Sequence, residues 1–150
     1  MRSNQNIFTL KPNVHMSWKN SMTDNRKPAY DIIGDIHGCS KTLISLLKKL
    51  GYRKNDQGVY FHSNRQVIFL GDFIDRGPFQ REVISIARSM IESGTALSVM
   101  GNHEYNAIAY ATRGRNTEHY LRKHTEKNLK EHAVFLDAYK GDQIAYQETI

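Results

Sequence analysis

Asp35, His37, Asp72, Asp75, Arg76, Asn102 and His103 stand in three short strings: Gly34-Asp35-Ile36-His37-Gly38, Gly71-Asp72-Phe73-Ile74-Asp75-Arg76-Gly77 and Gly101-Asn102-His103-Glu104. Asp35 and His37 are alternate residues and can face one pocket, and a carboxylate beside an imidazole suits Mn, Fe, Zn or Ni. Asp72 offers a carboxylate able to bridge two cations. Arg76, four residues on, carries the planar, permanently charged fork that grips phosphate oxygens in pairs. The side-chain carbonyl of Asn102 can ligate a hard or borderline cation, and His103 is of the one residue type whose ordinary pKa suits proton transfer near neutrality. Each string alone has a plain reading: a Gly-Asp turn with a stray histidine, acids decorating a helix start, or an Asn-His turn. Brought together, the three would form a metal-dependent phosphate-ester site.

Each string follows an apolar run that can deliver it. Ala29-Tyr30-Asp31-Ile32-Ile33 reads as a strand ending at Gly34, Gln66–Leu70 as a strand ending at Gly71, and Ala96–Met100 as a strand ending at Gly101. Between them, Leu43, Ile44, Leu46, Leu47 and Leu50 share one face of a helix, for which Ser40 is the expected N-cap and Gly51 the stop. Val83, Ile84, Ile86, Ala87, Met90 and Ile91 mark a second helix after Gly77-Pro78, closed by Gly94. Val59-Tyr60-Phe61 and the Gln66 strand read as a hairpin turning through His62–Arg65. The alternation of strand and helix predicts an α/β protein with a parallel sheet, and ligands of such sheets bind at the carboxyl ends of the strands, where all three strings stand. Farther on, Ala107–Tyr110 suggests a short helix and Arg113-Gly114-Arg115 a loop. A polar helix is expected from Thr117 to Ala133, with one or two short helices over Phe135–Tyr146.

Composition narrows the class. With 39% apolar residues and a net charge of +6, the chain reads as a mildly basic soluble protein with a leaning towards anionic partners. The first 28 residues, rich in Asn, Ser, Lys and Arg, show no sustained period and are expected to be a polar extension; residues 29–150 form one domain. No apolar run suits a secretory signal or a membrane-spanning helix, and the single Cys39 excludes an internal disulfide. A cytoplasmic protein without membrane association is the expectation.

In order and separation, GDIHG, GDFIDRGP and GNHE resemble the phosphoprotein-phosphatase branch of the calcineurin-like metallophosphoesterases, over about Tyr30 to Ala109. The stretch after Gly38 and the helix after Pro78 are more like the small bacterial members, the dinucleoside tetraphosphatases and RNA-repair phosphatase modules. The resemblance implies two divalent metal ions, with manganese foremost and Fe, Zn or Ni possible. Asp35 and His37 would hold the first, Asp72 would bridge, and Asn102 would hold the second. It also implies that Arg76 binds phosphate oxygens, that His103 protonates the leaving oxygen, and that Asp75 orients His103. Glu104 would at most support. The substrate would be a phosphorylated small molecule, a nucleotide or a phosphoprotein.

The family completes its second metal with histidines from later strands, so the fold is expected to be the N-terminal part of a βαβαβ sheet sandwich, core 29–112 and helical region 113–150, and incomplete. His119, His124 and His132 stand beside Glu118, Glu126 and Glu131 in a polar stretch and read as a solvated face, as His15 and His62 read as surface residues. If the chain is a piece of a longer one, apolar strand edges should be exposed on 59–70 or 96–100. The alternative is a truncated, non-catalytic metal- or phosphate-binding remnant. Nucleic-acid binding through Arg113, Arg115, Arg122, Lys123, Lys127 and Lys130 rests on charge alone and would show as steep salt dependence.

Overall fold

The computed structural model describes residues 28–150 apart from 116. The extension expected over residues 1–28, with His15 and Trp18, thus lies outside the described residues except for Pro28.

Three strands, β1 (Ala29–Ile33), β4 (Arg65–Phe69) and β5 (Ala96–Ser98), form a parallel sheet in the order β1-β4-β5. The register pairs Ile33 with Phe69 and Phe69 with Ser98, so the three strands run out side by side. Strand residues alternate between faces, and Ile33, Val67, Phe69 and Ala96 all turn to the same side. There α1 (Ser40–Lys49) contributes Leu43 and Leu47, and α2 (Gln80–Glu92) contributes Val83, Ala87 and Met90, to one buried cluster. Each of the larger of these side chains stabilises the fold by about 1.5–3 kcal/mol relative to exposure. The opposite face of the sheet is open among the described residues, with Ile32 66%, Leu70 49% and Leu97 49% exposed.

Two expectations for this region are corrected. Ser40 does not cap α1. It is the first helical residue, and its hydroxyl donates to Glu82 of α2 at 2.5 Å, while Cys39 occupies the cap without a side-chain bond. Nor does β3 (Tyr60–Phe61) form a hairpin with β4. It pairs antiparallel with β2 (Arg53–Lys54) across a turn in which the Asn55 carboxamide accepts from Val59 N and Gly58 adopts φ 78°. The reason is burial: Val67 and Phe69 are fully enclosed, and a central position between two parallel neighbours satisfies β4's backbone on both sides. Consequently β4 is not a sheet edge. The edges are β1 and β5, the latter followed by exposed Val99 and Met100.

Beyond the sheet, α3 (Asn102–Ala111) begins inside the third string, α4 spans Glu126–Ala138 and α5 spans Gln143–Thr149. The helix expected from Thr117 instead starts at Glu126, where the Thr125 hydroxyl accepts from Asn128 N. A second apolar cluster of Ile74, Ala107, Phe135 and Tyr139, with Phe73 and Ile84 packed against it, fastens α3 and α4 to the loop after β4. No described helix is long and apolar enough to cross a membrane.

Candidate metal centre

Parallel pairing places the three strings next to each other, and backbone hydrogen bonds lock them. His37 N donates to Asp72 O at 2.8 Å, Gly38 N to Phe73 O at 2.7 Å and Gly77 N to His37 O at 2.8 Å, joining the first string to the second. Such contact requires glycine: a Cβ on Gly71 would overlap the Gly101 backbone, and one on Gly38 would overlap Gly77. The third string is joined through Glu104. Its carboxylate accepts from Asp72 N at 2.7 Å, Phe73 N at 2.8 Å, Ile74 N at 3.3 Å and Gly101 N at 3.0 Å.

Backbone strain collects here. Among the described residues, the non-glycine residues with positive φ are Asp35, His37, Asp72, Asp75 and Arg76. Left-handed conformations at such residues cost of order 1–3 kcal/mol each and persist where surrounding bonds over-determine them, as they do here. All five belong to the residues singled out for their chemistry.

The side chains converge in part. The ligand atoms of His37, Asp72 and His103 lie within 4.8 Å of one another. His37 is buried; its Nδ1 lies 2.8 Å from Ile74 O, so it must donate, which leaves Nε2 as a lone pair with no hydrogen-bond partner. An imidazole whose other nitrogen donates to a backbone carbonyl is the usual posture of a metal ligand. A buried, unpartnered lone pair beside a carboxylate and a second imidazole fits a divalent cation. Asp35 is exposed at the end of β1 and is not part of the 4.8 Å group; Asn102 is exposed at the first position of α3.

His103 Nδ1 lies 2.6 Å from Asp75 Oδ2, and His103 N donates to Asp72 Oδ1 at 3.0 Å. Asp75 is 2% exposed, and its other oxygen lies 2.8 Å from His132 Nδ1. Burial pushes the Asp75 carboxyl up, but the hydrogen bonds from His132 and His103 outweigh it and hold its pKa below the usual range. An ionised carboxylate only accepts, so both imidazoles present Nδ1–H to it, which directs His103 Nε2 away from Asp75. The His103 and His37 rings meet edge to face at 4.6 Å.

The expectation that His132 is solvated is overturned: it is 1% exposed. It shares a buried helical face with Phe135 and Tyr139, at spacings of three and seven residues, a signal obscured when the polar helix was ended at Ala133. His124 is exposed, as expected, although its ring stacks on Tyr110 and Tyr120 and its Nε2 is 2.8 Å from Tyr110 O. His119 is exposed. Glu104, expected at most to support, is what couples the second and third strings.

Arg76, Asn102 and His103 open onto a cleft of about 460 Å³ whose far wall is Arg122, Lys130 and Glu131. A separate cavity of about 320 Å³ between α2 and α3, lined by Phe73, Ile84, Ile91 and Phe135, is apolar and lacks such a constellation.

Comparison with known proteins agrees with this geometry. The calcineurin-like phosphoesterase family model matches residues 30–146. The asymmetrical bis(5'-nucleosyl)-tetraphosphatase PrpE of Oceanobacillus iheyensis is 47% identical over 74 residues, which are 49% of this chain and 29% of that protein. Its Geobacillus counterpart is 42% identical over 89 residues, 59% of this chain and 36% of that protein. The chain thus spans about a third of the length of the curated relatives it matches. Among solved structures, a cold-active protein tyrosine phosphatase superposes with a TM-score of 0.52 at 18% identity, covering 83% of this chain and 35% of that one, a likeness of fold. With its strings joined at three parallel strand ends and the family model matched over residues 30–146, this chain belongs to the calcineurin-like phosphoesterases.

Proposed function

We propose that the chain supplies part of the site of a metal-dependent phosphoesterase acting on a phosphorylated substrate, with nucleoside polyphosphates the leading class and phosphoproteins the second. The observation that carries this reading is the orphaned His37 Nε2, which lies where Asp72 also offers a ligand atom, with the His103 ring beside it. Asp35, His37, Asp72 and Asn102 would hold divalent ions, for which manganese suits the mixed oxygen and nitrogen donors and Fe, Zn or Ni are also compatible. When bound, such ions neutralise phosphate charge and lower the pKa of water.

The chain's own residues do the rest. Arg76 grips phosphate oxygens, and its exposed position at the cleft supports that role. His103 Nε2 delivers the proton to the leaving oxygen, since Nδ1 is committed to Asp75. Asp75 fixes that tautomer, and His132 fixes Asp75 from behind. Within the unit of residues 29–150, the core over 29–112 supplies the ligands and the region over 113–150 buttresses the acid. A cytoplasmic setting suits the single, exposed Cys39.

The test is hydrolysis of p-nitrophenyl phosphate and of a dinucleoside tetraphosphate with manganese or nickel, alongside calorimetric titration of the metal. Asp72→Asn is expected to weaken metal binding and to lower turnover at least a hundredfold. Turnover indifferent to that change would overturn the reading, and tight metal binding without turnover would favour the non-catalytic remnant.

A further inference from the structure

We propose that the cleft beside Arg76 and His103 contains a second phosphoryl subsite, built by Arg122 and Lys130, that receives a chain of linked phosphates. The inference rests on the phosphoesterase reading above and specifies the substrate class that the site favours. The cleft, about 460 Å³, is of the size that takes small-molecule ligands. Its lining holds Arg76 together with two further basic side chains, Arg122, which is paired with Glu131, and Lys130.

Arg122 is set in place. Its amide donates to Ala109 O at 2.9 Å, its Nη2 to Glu131 Oε2 at 2.9 Å and to Asn128 Oδ1 at 3.3 Å, and its side chain is 17% exposed. These bonds use one end of the guanidinium; among the described residues nothing engages its remaining N–H donors. An arginine held this way loses little freedom on meeting an oxyanion and still offers part of its fork. Lys130 lines the same wall and has no carboxylate partner among the described residues. Both carboxylates of the cleft are already engaged: Asp75 by two imidazoles, Glu131 by Arg122 and, at 3.8 Å, by Lys127. Three basic side chains, Arg76, Arg122 and Lys130, therefore line a space whose two carboxylates are already hydrogen-bonded, one of them to Arg122 itself, and this leaves an excess of positive charge suited to a polyanion longer than one phosphate.

The probes are orthophosphate, tripolyphosphate and ATP, titrated calorimetrically into the metal-free chain because polyphosphates sequester cations. The wild-type chain is expected to bind tripolyphosphate at least tenfold more tightly than orthophosphate. Arg122→Gln and Lys130→Gln should each weaken tripolyphosphate at least threefold and leave orthophosphate within twofold. Lys48→Gln, on the exposed side of α1, should change neither. Lys130 is exposed, so K130Q carries the test if R122Q fails to fold. Equal affinity for the two anions, no binding of tripolyphosphate, or an equal loss in K48Q overturns the subsite. ATP bound more tightly than tripolyphosphate supports a nucleoside polyphosphate, and equal affinity supports an inorganic chain. Arg76→Gln that binds orthophosphate like the wild type counts against the phosphoesterase reading, whereas unchanged discrimination in K130Q counts against the subsite alone.

Discussion

Asp75 accepts from two imidazoles at once, and the two bonds have different consequences. The 2.6 Å bond to His103 orients a group that faces the cleft; the 2.8 Å bond to His132 lies wholly inside. An ionised carboxylate at 2% exposure needs both, since hydrogen bonds to a buried charge are worth about 1.5–3 kcal/mol each. His132→Leu removes the inner donor and is expected to destabilise the fold by about 2–3 kcal/mol in urea denaturation. His132→Asn keeps an N–H where Nδ1 stands and should recover more than half of that loss. The same pair separates a positioning role from a packing one: kcat should fall about tenfold in the Leu variant and recover in the Asn variant, with KM little changed. Recovery of stability without recovery of kcat would show that His132 only packs. Nothing local in the sequence marks His132, because its neighbours Lys130 and Glu131 are exposed and its burial becomes visible only once Phe135 and Tyr139 define the inner face of α4.

Elements are tied to one another by a few polar bonds in places that apolar packing does not reach. Asp31 of β1 accepts from Arg65 of β4 through Nε at 2.7 Å and through Nη2, and from the Tyr52 hydroxyl at 3.0 Å, so it fastens two strands and the segment after α1. The Arg65 guanidinium foremost, and then the Tyr52 bond, hold the Asp31 carboxyl below its usual range against the opposing effect of burial. Burial and the Asp31 carboxylate push the Tyr52 hydroxyl up. For a carboxyl whose folded pKa is depressed, the stabilisation is complete above its unfolded value, about 3.9, and is lost as pH falls through the folded value. Stability measured by urea midpoint should therefore decline below about pH 4. Asp31→Asn should lower the midpoint at pH 7 and flatten part of that decline; an acid limb unchanged by D31N would refute the assignment. The tie was hidden from sequence reading because β4 was given the wrong neighbour. Once β4 is central, Arg65 falls opposite Ala29 and within reach of Asp31.

At the scale of the whole molecule, the sheet is covered on one side by the described residues. Phe69 and Val67 are sealed beneath α1 and α2, whereas Ile32 and Leu97 on the other face remain 66% and 49% exposed. Phe69→Ala should cost about 3–5 kcal/mol, from lost burial and the cavity left behind. Ile32→Thr and Leu97→Thr should each cost far less, about 1 kcal/mol or under, since 66% and 49% of these side chains already face solvent. Denaturant midpoints of the four proteins check both. A large loss in either Thr variant would mean that the open face is covered in solution. Of the two places where an apolar edge was expected, 59–70 or 96–100, the second carries it: Leu97, Val99 and Met100 are exposed, while β4 lies between two parallel neighbours.

The alternation of β1, α1, β4, α2 and β5, the glycines at the strand ends and the candidate ligands were legible in the sequence, because periodicity and turn chemistry are local properties of neighbouring residues. Asp35, His37, Asp72, Asn102 and Arg76 could be named without coordinates, since their types and spacing carry the chemistry. Tertiary structure alone decided which strand lies in the middle, that Glu104 bridges two strings through four backbone amides, and that His132 reaches Asp75 across 57 residues. Those contacts join positions far apart in the chain, and they come into being only when apolar burial has chosen the face on which each element lies.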